Sequence, residues 1–317
     1  MVVAWNAELR LTGCLDSLAA QTVGERLQVL VVDNASVDGT AALLAARPDV
    51  RVLRTERNLG FAGGLAAAVD ATSTPYLVLL NDDARFAPDA VERLLAAVEA
   101  PDSSRVGGVT AKVLLTRPDA QGRRLVNSTG NVVDARGAGQ DRDWLAVDGH
   151  ERGGRDVFGV NGGACLLRRD AVLDAGGVDA ELFLYYEDTD LSWRMRARGW
   201  TVRYAADAVA EHDHASSSGT GSATFRFYNT RNSLRVVTRH APWRTVVVAT
   251  AHQAAGLLRA LLRSGPREAT VRARVRAWAS HVARLPRTLA ERRATWRDAV
   301  VSRHDAMTGP APREDAA

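Results

Sequence analysis

Cysteine and lysine are both scarce in this chain of 317 residues. Only Cys14 and Cys165 are present, which excludes a small disulfide-stapled fold and fits a reducing compartment. Lys112 is the single lysine, so arginine supplies nearly all the positive charge, a bias that reads as coding preference rather than function. The first residues, Met1-Val2-Val3-Ala4-Trp5-Asn6, show no basic segment followed by a long apolar core. They read as no secretory leader, and the chain reads as cytoplasmic. On that reading Asn127-Ser128-Thr129 is a chance match to the N-glycosylation pattern. Long apolar runs are also scarce: the most apolar stretch, 245–262, is interrupted by His252, Gln253 and Arg259, which argues against a spanning helix.

What is abundant is charge, unevenly spread. Residues 1–225 hold 23 basic and 31 acidic groups, whereas 226–297 hold 16 basic and 2 acidic. An acidic front and a basic back point to different partners for the two parts.

In the front part, short apolar runs alternate with helical spacing. Val2-Val3-Ala4-Trp5, Leu27 to Asp33, Arg51 to Arg54 and Tyr76 to Leu80 read as strands, with helices between them. Such alternation predicts a mainly parallel sheet with helices on both faces. Ligands bind such sheets beyond the carboxyl ends of the strands. Asp33, the loop Asn58-Leu59-Gly60-Phe61-Ala62-Gly63-Gly64 and the run Asn81-Asp82-Asp83 would all lie there. The paired carboxylates admit two readings: they hold a divalent cation on a phosphate, or they cap a helix over about 88–99. Gly60 and Gly63 would let backbone approach a diphosphate and leave N–H groups free at a helix start.

Residues 107–115 and 157–168 read as strands, and 117–156 as a long surface excursion without assigned function. Next comes an acidic cluster, Glu187-Asp188-Thr189-Asp190, opening a helix after the aromatic run Phe183-Leu184-Tyr185-Tyr186. It is either dipole complementarity at a helix start or a source of a general base. Glu211-His212-Asp213-His214 follows a strand at 201–205, and its imidazoles suit a divalent ion. From about 225 the pattern is helical and arginine-rich, either a cap on the sheet or a surface that lies against an anionic membrane. The organisation expected is thus a catalytic domain over 1–224, a basic helical region over 225–300 and a disordered tail over 301–317.

Taken together, these motifs make the chain resemble the family 2 glycosyltransferases, close to the bacterial rhamnosyltransferase-like branch that builds cell-surface glycans. The resemblance rests on 31–40, 58–64 and 79–83, on Gly177-Val178-Asp179 through Leu191, and on Arg194 with Gly199-Trp200. His212 with Ser217, and Tyr228 with Arg231-Asn232, complete it. Ala4-Trp5-Asn6 departs from it, standing where the family has Thr-Tyr before the Asn. The resemblance implies a GT-A fold, an α/β/α sandwich with a mainly parallel, Rossmann-like sheet followed by the helical region. It also implies a nucleotide-diphosphate sugar donor, dTDP- or UDP-linked with L-rhamnose favoured, and a divalent cation, Mg²⁺ or Mn²⁺. Asn6, Asp33 and Asn58 would contact the nucleotide, with Gly60, Gly63 and Asn81 beside it and Asp82 near the ribose. Asp83 would bind the metal, with His212 as a further ligand and His214 as its alternative. Asp188 would be the base of an inverting displacement, and Glu187 and Asp190 would position acceptor or base. The acceptor would be a glycan or polyprenyl-linked hydroxyl at the inner membrane face, with galactofuranosyl, mannosyl or other hexosyl transfer as alternatives.

Three other classes compete. A sugar nucleotidyltransferase needs a glycine-rich, arginine-containing loop after the first strand, and Ala4 to Leu9 offers none. A non-catalytic membrane-surface protein that binds nucleotide sugars would bind lipid without metal-dependent nucleotide affinity. Nucleic-acid binding fits poorly with the acidic front half.

Overall fold

The computed structural model describes residues 1–213 and 221–308. Its strands are β1 (Val2–Ala4), β2 (Val29–Asp33), β3 (Val50–Arg54), β4 (Tyr76–Leu80), β5 (Ala84–Phe86) and β6 (Val106–Leu115). Beyond these follow β7 (Val126–Ser128), β8 (Asn131–Val133), β9 (Gly139–Asp141), β10 (Asp156–Val157), β11 (Ala164–Arg168) and β12 (Thr201–His212). The helices of the front part are α1 (Leu11–Ala19), α2 (Thr40–Ala45), α3 (Gly60–Asp70), α4 (Ala90–Glu99), α5 (Arg169–Asp174) and α6 (Glu187–Ala197). Those of the back are α7 (Ala223–His240), α8 (Trp243–Ser264), α9 (Ala269–Arg297) and α10 (Arg303–Thr308).

β3, β2 and β1 pair in parallel. Met1 carries this sheet on to β4: its nitrogen donates to Val78 O at 2.6 Å and its carbonyl accepts from Leu80 N at 3.2 Å, the parallel pattern. The rest is mixed. β11 runs antiparallel between β4 and β6, β12 is parallel to β6, and β5 and β10 pair antiparallel with β12. The expected mainly parallel sheet is therefore present: β1 to β4, β6 and β12 share one direction, β2, β3, β4, β6 and β12 each being reached through a helix, whereas β5, β10 and β11, which enter from loops, run the other way.

The strands read as apolar runs because both faces are covered. Along β4 and β11, Leu80 and Leu166 join one core with Leu11, Leu15, Leu94 and Val98 of α1 and α4. Leu77, Leu79, Cys165 and Leu167 join the other with Leu65 and Val69 of α3 and Leu191 and Met195 of α6. α6 is buried almost throughout: a third core, with Trp193, Val236, Val237 and Val246, binds its outer side to the helical region.

The stretch 117–156 is not a bare surface excursion. It contributes β7, β8 and β9, with Asn127, Ser128, Thr129 and Asn131 buried. The sequence also reads as a disordered tail from 301, yet α10 packs on α6: Arg196 Nε donates to Ala306 O at 2.6 Å. Residues 309–317 lie outside the described residues.

Candidate active site

The parallel strands end on one edge, and polar side chains gather there. Asp33, buried at the end of β2, accepts from Arg54 Nη1 at 2.6 Å and from Ser36 N at 2.9 Å. Asn6 follows β1 with φ at 50°, and its Oδ1 accepts from Val37 N at 2.9 Å, so it braces the turn after β2. Asn58 Oδ1 accepts from Asn34 Nδ2 at 3.1 Å and Gly60 N at 2.7 Å.

The glycines serve a different purpose from the one expected. The N–H of Gly60 is taken by Asn58, and that of Ala62 donates to Phe183 O at 3.1 Å. A Cβ on Gly60 would lie 2.1 Å from that same carbonyl oxygen, and one on Gly63 would lie 2.6 Å from Leu59 Cβ. Gly60 and Gly63 thus permit close packing of protein on protein, and the N–H groups of Gly60 and Ala62 do not stand open as a phosphate cradle.

After β4 the chain does not enter a helix directly. β5 intervenes and pairs with the far end of β12, setting His212 opposite Ala84. That pairing rules out the helix-cap reading of Asp82 and Asp83, because α4 starts only at Ala90. Asp82 is held bidentately by Arg10, whose Nε and Nη2 each donate to it at 3.0 Å. Burial lifts the Asp82 carboxyl above the usual range, with Arg10 opposing.

Asp83 Oδ1 stands 3.0 Å from His212 Nε2, and His212 Nδ1 lies 2.6 Å from Asn127 Oδ1. An amide oxygen only accepts, so Nδ1 carries a hydrogen and Nε2 turns toward the carboxylate. The oxygen-plus-imidazole pair is of the kind that suits a divalent ion. Among the described residues no group of three or more His, Cys, Asp or Glu is placed to hold a metal. Asp83 and His212 could together offer a divalent ion two protein ligands. His214 lies outside the described residues.

A third group centres on the turn Asn161-Gly162-Gly163 before β11. Gly162 N donates to Asp188 Oδ2 at 3.1 Å, and Asn161 Nδ2 donates to Asp141 Oδ1 at 2.8 Å. Asn81 N donates to Gly163 O at 2.9 Å, so the turn joins three elements. Asp141 was not legible in the sequence. Burial raises its carboxyl, opposed by Ser128 and Asn161, while the Asp188 charge raises it further and His212 lowers it. Glu187 is wholly buried, and this burial, with Asp188 second, pushes its carboxyl up to about 8.

Asp190 does not join Asp188. Two residues along a helix is more than half a turn, so its side chain points away from the edge into the helical region. There it accepts from Arg194 Nε at 2.8 Å and Arg239 Nη1 at 2.7 Å, and lies 2.8 Å from His240 Nε2. The two arginines, with the His240 hydrogen bond, hold its carboxyl well below the usual range against burial, and burial keeps His240 neutral, lowered to about 4. Asp190 fastens α6 to α7 and is withdrawn as a contact for acceptor or base.

The chain arrives at Asp188 through a strained turn. Phe183 has φ 65° and ψ −58°, and Leu184 N donates to Leu182 O at 2.7 Å, the geometry of a positive-φ γ-turn. Tyr185 and Tyr186 follow with φ at 68° and 73°. α7 stabilises this conformation: Asn232 Nδ2 reaches the carbonyls of Leu182, Leu184 and Tyr185 at 2.8–2.9 Å, and Arg231 Nη2 those of Glu181 and Leu182. Phe183 also stacks on Tyr228, with centroids 4.9 Å apart. Arg10, Asn34, Asn127 and Asn161 are further site residues that sequence reasoning passed over. Only Asn161-Gly162-Gly163 carried a signal, as a turn signature before a strand.

Residues 1–173 match the family model described as "Glycosyl transferase family 2". The N-acetylglucosaminyl-diphospho-decaprenol L-rhamnosyltransferase of Mycobacterium tuberculosis is 28% identical over 240 residues, covering 68% of this chain and 76% of that one. Among solved structures, the mannosyltransferase PcManGT from Pyrobaculum calidifontis superposes with TM-score 0.54 at 18% identity, covering 92% of this chain and 85% of that chain. GalNAc-T7 superposes with TM-score 0.57 at 14% identity, covering 75% and 47%. These likenesses establish the GT-A fold, and with more than half of the sequence matched, the chain belongs to glycosyltransferase family 2.

Proposed function

We propose that this glycosyltransferase transfers a hexose with inversion, L-rhamnose being the favoured sugar, from a dTDP- or UDP-sugar to a hydroxyl of a lipid-linked or polysaccharide acceptor. Its place would be the inner face of the membrane, in cell-surface glycan synthesis. The observation that carries the mechanism is the separation of two acidic centres. Asp83 faces His212, while Asp188 accepts from the Gly162 N–H and from Thr189. The named activity of the mycobacterial relative, which joins an L-rhamnosyl group to a decaprenol-linked acceptor, supports the choice of sugar and acceptor class. The basic composition of 226–297 supports contact with an anionic membrane surface.

On this reading Asn6, Asp33 and Asn58 shape the nucleotide side, and Asp82, fixed by Arg10, faces the ribose. Asp83 and His212 hold the divalent cation, Mg²⁺ or Mn²⁺, which when bound neutralises charge on the departing diphosphate. Asp188 accepts the proton of the acceptor hydroxyl as its oxygen bonds to the anomeric carbon and the bond to the nucleoside diphosphate breaks. Glu187, whose carboxyl burial pushes up to about 8, does not compete with Asp188 as a base near pH 7.

The test is a screen of UDP-, dTDP- and GDP-sugars with Mn²⁺, reading free nucleotide. With the active donor, Asp188→Asn should lower turnover by about 10²–10⁴-fold while nucleotide still binds. Turnover like the wild type in Asp188→Asn or Asp83→Ala sinks the assignment.

A further inference from the structure

α8 is apolar on two opposite faces. Its inner face packs: Thr245, Val246 and Ala249 are buried, and Gln253 Nε2 donates to Ser233 Oγ of α7 at 3.1 Å. Its outer face shows Trp243, Val247, Leu258 and Leu262, which are 56%, 65%, 58% and 78% exposed. Ala251 and Ala254 between them are exposed as well. At about 100° per residue these six positions fall within a single arc of about 100°, and none of them is charged. A helix packed on one side and facing only water on the other carries polar residues outward. Exposed Arg244 stands at one border of the stripe, with exposed Arg259 and Arg263 farther round the helix on that side.

We infer that this face of α8 is the protein's seat on an anionic lipid surface. The helix lies in the plane of the interface, Trp243 sits at headgroup depth, and the arginines on that side meet lipid phosphates. This rests on the membrane contact proposed above and names the element and mode that make it. α8 is long enough to cross a bilayer, with a mean hydropathy of 1.3 over its most apolar window. Its bond to Ser233 and its packed inner face hold it along α7, however, so crossing would draw the buried Arg235 and Arg239 of α7 into hydrocarbon. A second copy of the chain is disfavoured by charge. A two-fold contact would bring these arginines of both copies together, in a region holding 16 basic and 2 acidic groups. α7 links this seat to the catalytic edge, since Asn232 holds the turn that leads to Asp188.

The experiment is flotation of the full chain with phosphatidylcholine vesicles containing about one-third phosphatidylglycerol. The wild type should float with these vesicles and poorly with neutral ones. Val247→Glu/Leu258→Glu should cut the bound fraction by about tenfold or more with an unchanged melting temperature, because both side chains are exposed. Arg259→Ala/Arg263→Ala should weaken binding to the anionic vesicles alone, and Leu262→Glu supplies an independent variant at the end of the stripe. Flotation unchanged in the Glu variants, equal binding to neutral vesicles, or association that survives alkaline carbonate would overturn the inference. So would a dimer that Val247→Glu dissociates in a protein that ignores lipid. Lipid binding is read without transfer, so a failed transferase assignment leaves this result intact.

Discussion

His212 Nε2 lies 3.0 Å from Asp83 Oδ1 because β5 pairs with the end of β12 and sets the two residues beside each other. Each would be unremarkable without the other. Metal-dependent affinity for UDP or dTDP, measured by calorimetry with Mn²⁺, should fall by about 10–100-fold in His212→Ala, and more in Asp83→Ala. Asn127→Ala frees the imidazole ring and should cost about tenfold. Chelation of the ion should bring the wild type to the level of Asp83→Ala. Unchanged affinity in both ligand variants would contradict the role given to the pair.

Arg10 is the counter-charge of a carboxylate that burial already disfavours. Arg10→Ala should destabilise the fold by about 2–4 kcal/mol at pH 7, since it strands Asp82 without its partner. The loss should shrink as the pH is lowered and Asp82 takes up a proton. In thermal melts the double variant Arg10→Ala/Asp82→Ala should be more stable than Arg10→Ala alone. A double variant no better than the single one would show that Arg10 acts through packing.

Glu187 sets a pH dependence of its own. Unfolded, it ionises near 4.5; folded, burial, reinforced by Asp188, holds it protonated up to about 8. Between these values the folded state keeps a proton that the unfolded state releases, so this residue's contribution to stability declines from about pH 4.5 to about pH 8 and is level above. Glu187→Gln should remove that decline and raise stability at pH 8 by on the order of 2–4 kcal/mol. Denaturant titrations at pH 5 and pH 8 measure it, and parallel profiles for the two proteins would refute it.

Asn232 holds backbone that costs on the order of 1–3 kcal/mol at each strained residue. Asn232→Asp keeps the shape but loses the donors. It should lower turnover by about 10²-fold through misplacement of Asp188, with nucleotide affinity changed by less than about threefold. An equal loss of both would mean that the variant has disturbed the whole edge rather than the turn.

Much of this protein is legible in its sequence, for reasons that are local. A strand covered on both faces must be apolar along its length, so Tyr76–Leu80 announces itself, and so does the acid placed at its end. The alternation with helices implies the layered sheet, and Asp33, Asp83 and Asp188 stand out because carboxylates beside buried strands need a reason. The glycines and Asp190 misled because their spacing tells nothing of direction. Gly60 is small so that Phe183 can approach, and Asp190 turns inward because its helix is covered on its outer side too.

The sequence by itself determined the fold class and the acids of the edge, since periodicity and local charge follow from neighbours along the chain. Only the tertiary structure decided which partner each acid has: Arg10 for Asp82, His212 for Asp83, Gly162 for Asp188 and the cations of α6 and α7 for Asp190. Those choices depend on strand register and on which helices cover which face. Both are set by contacts between distant segments, and no window of sequence contains them.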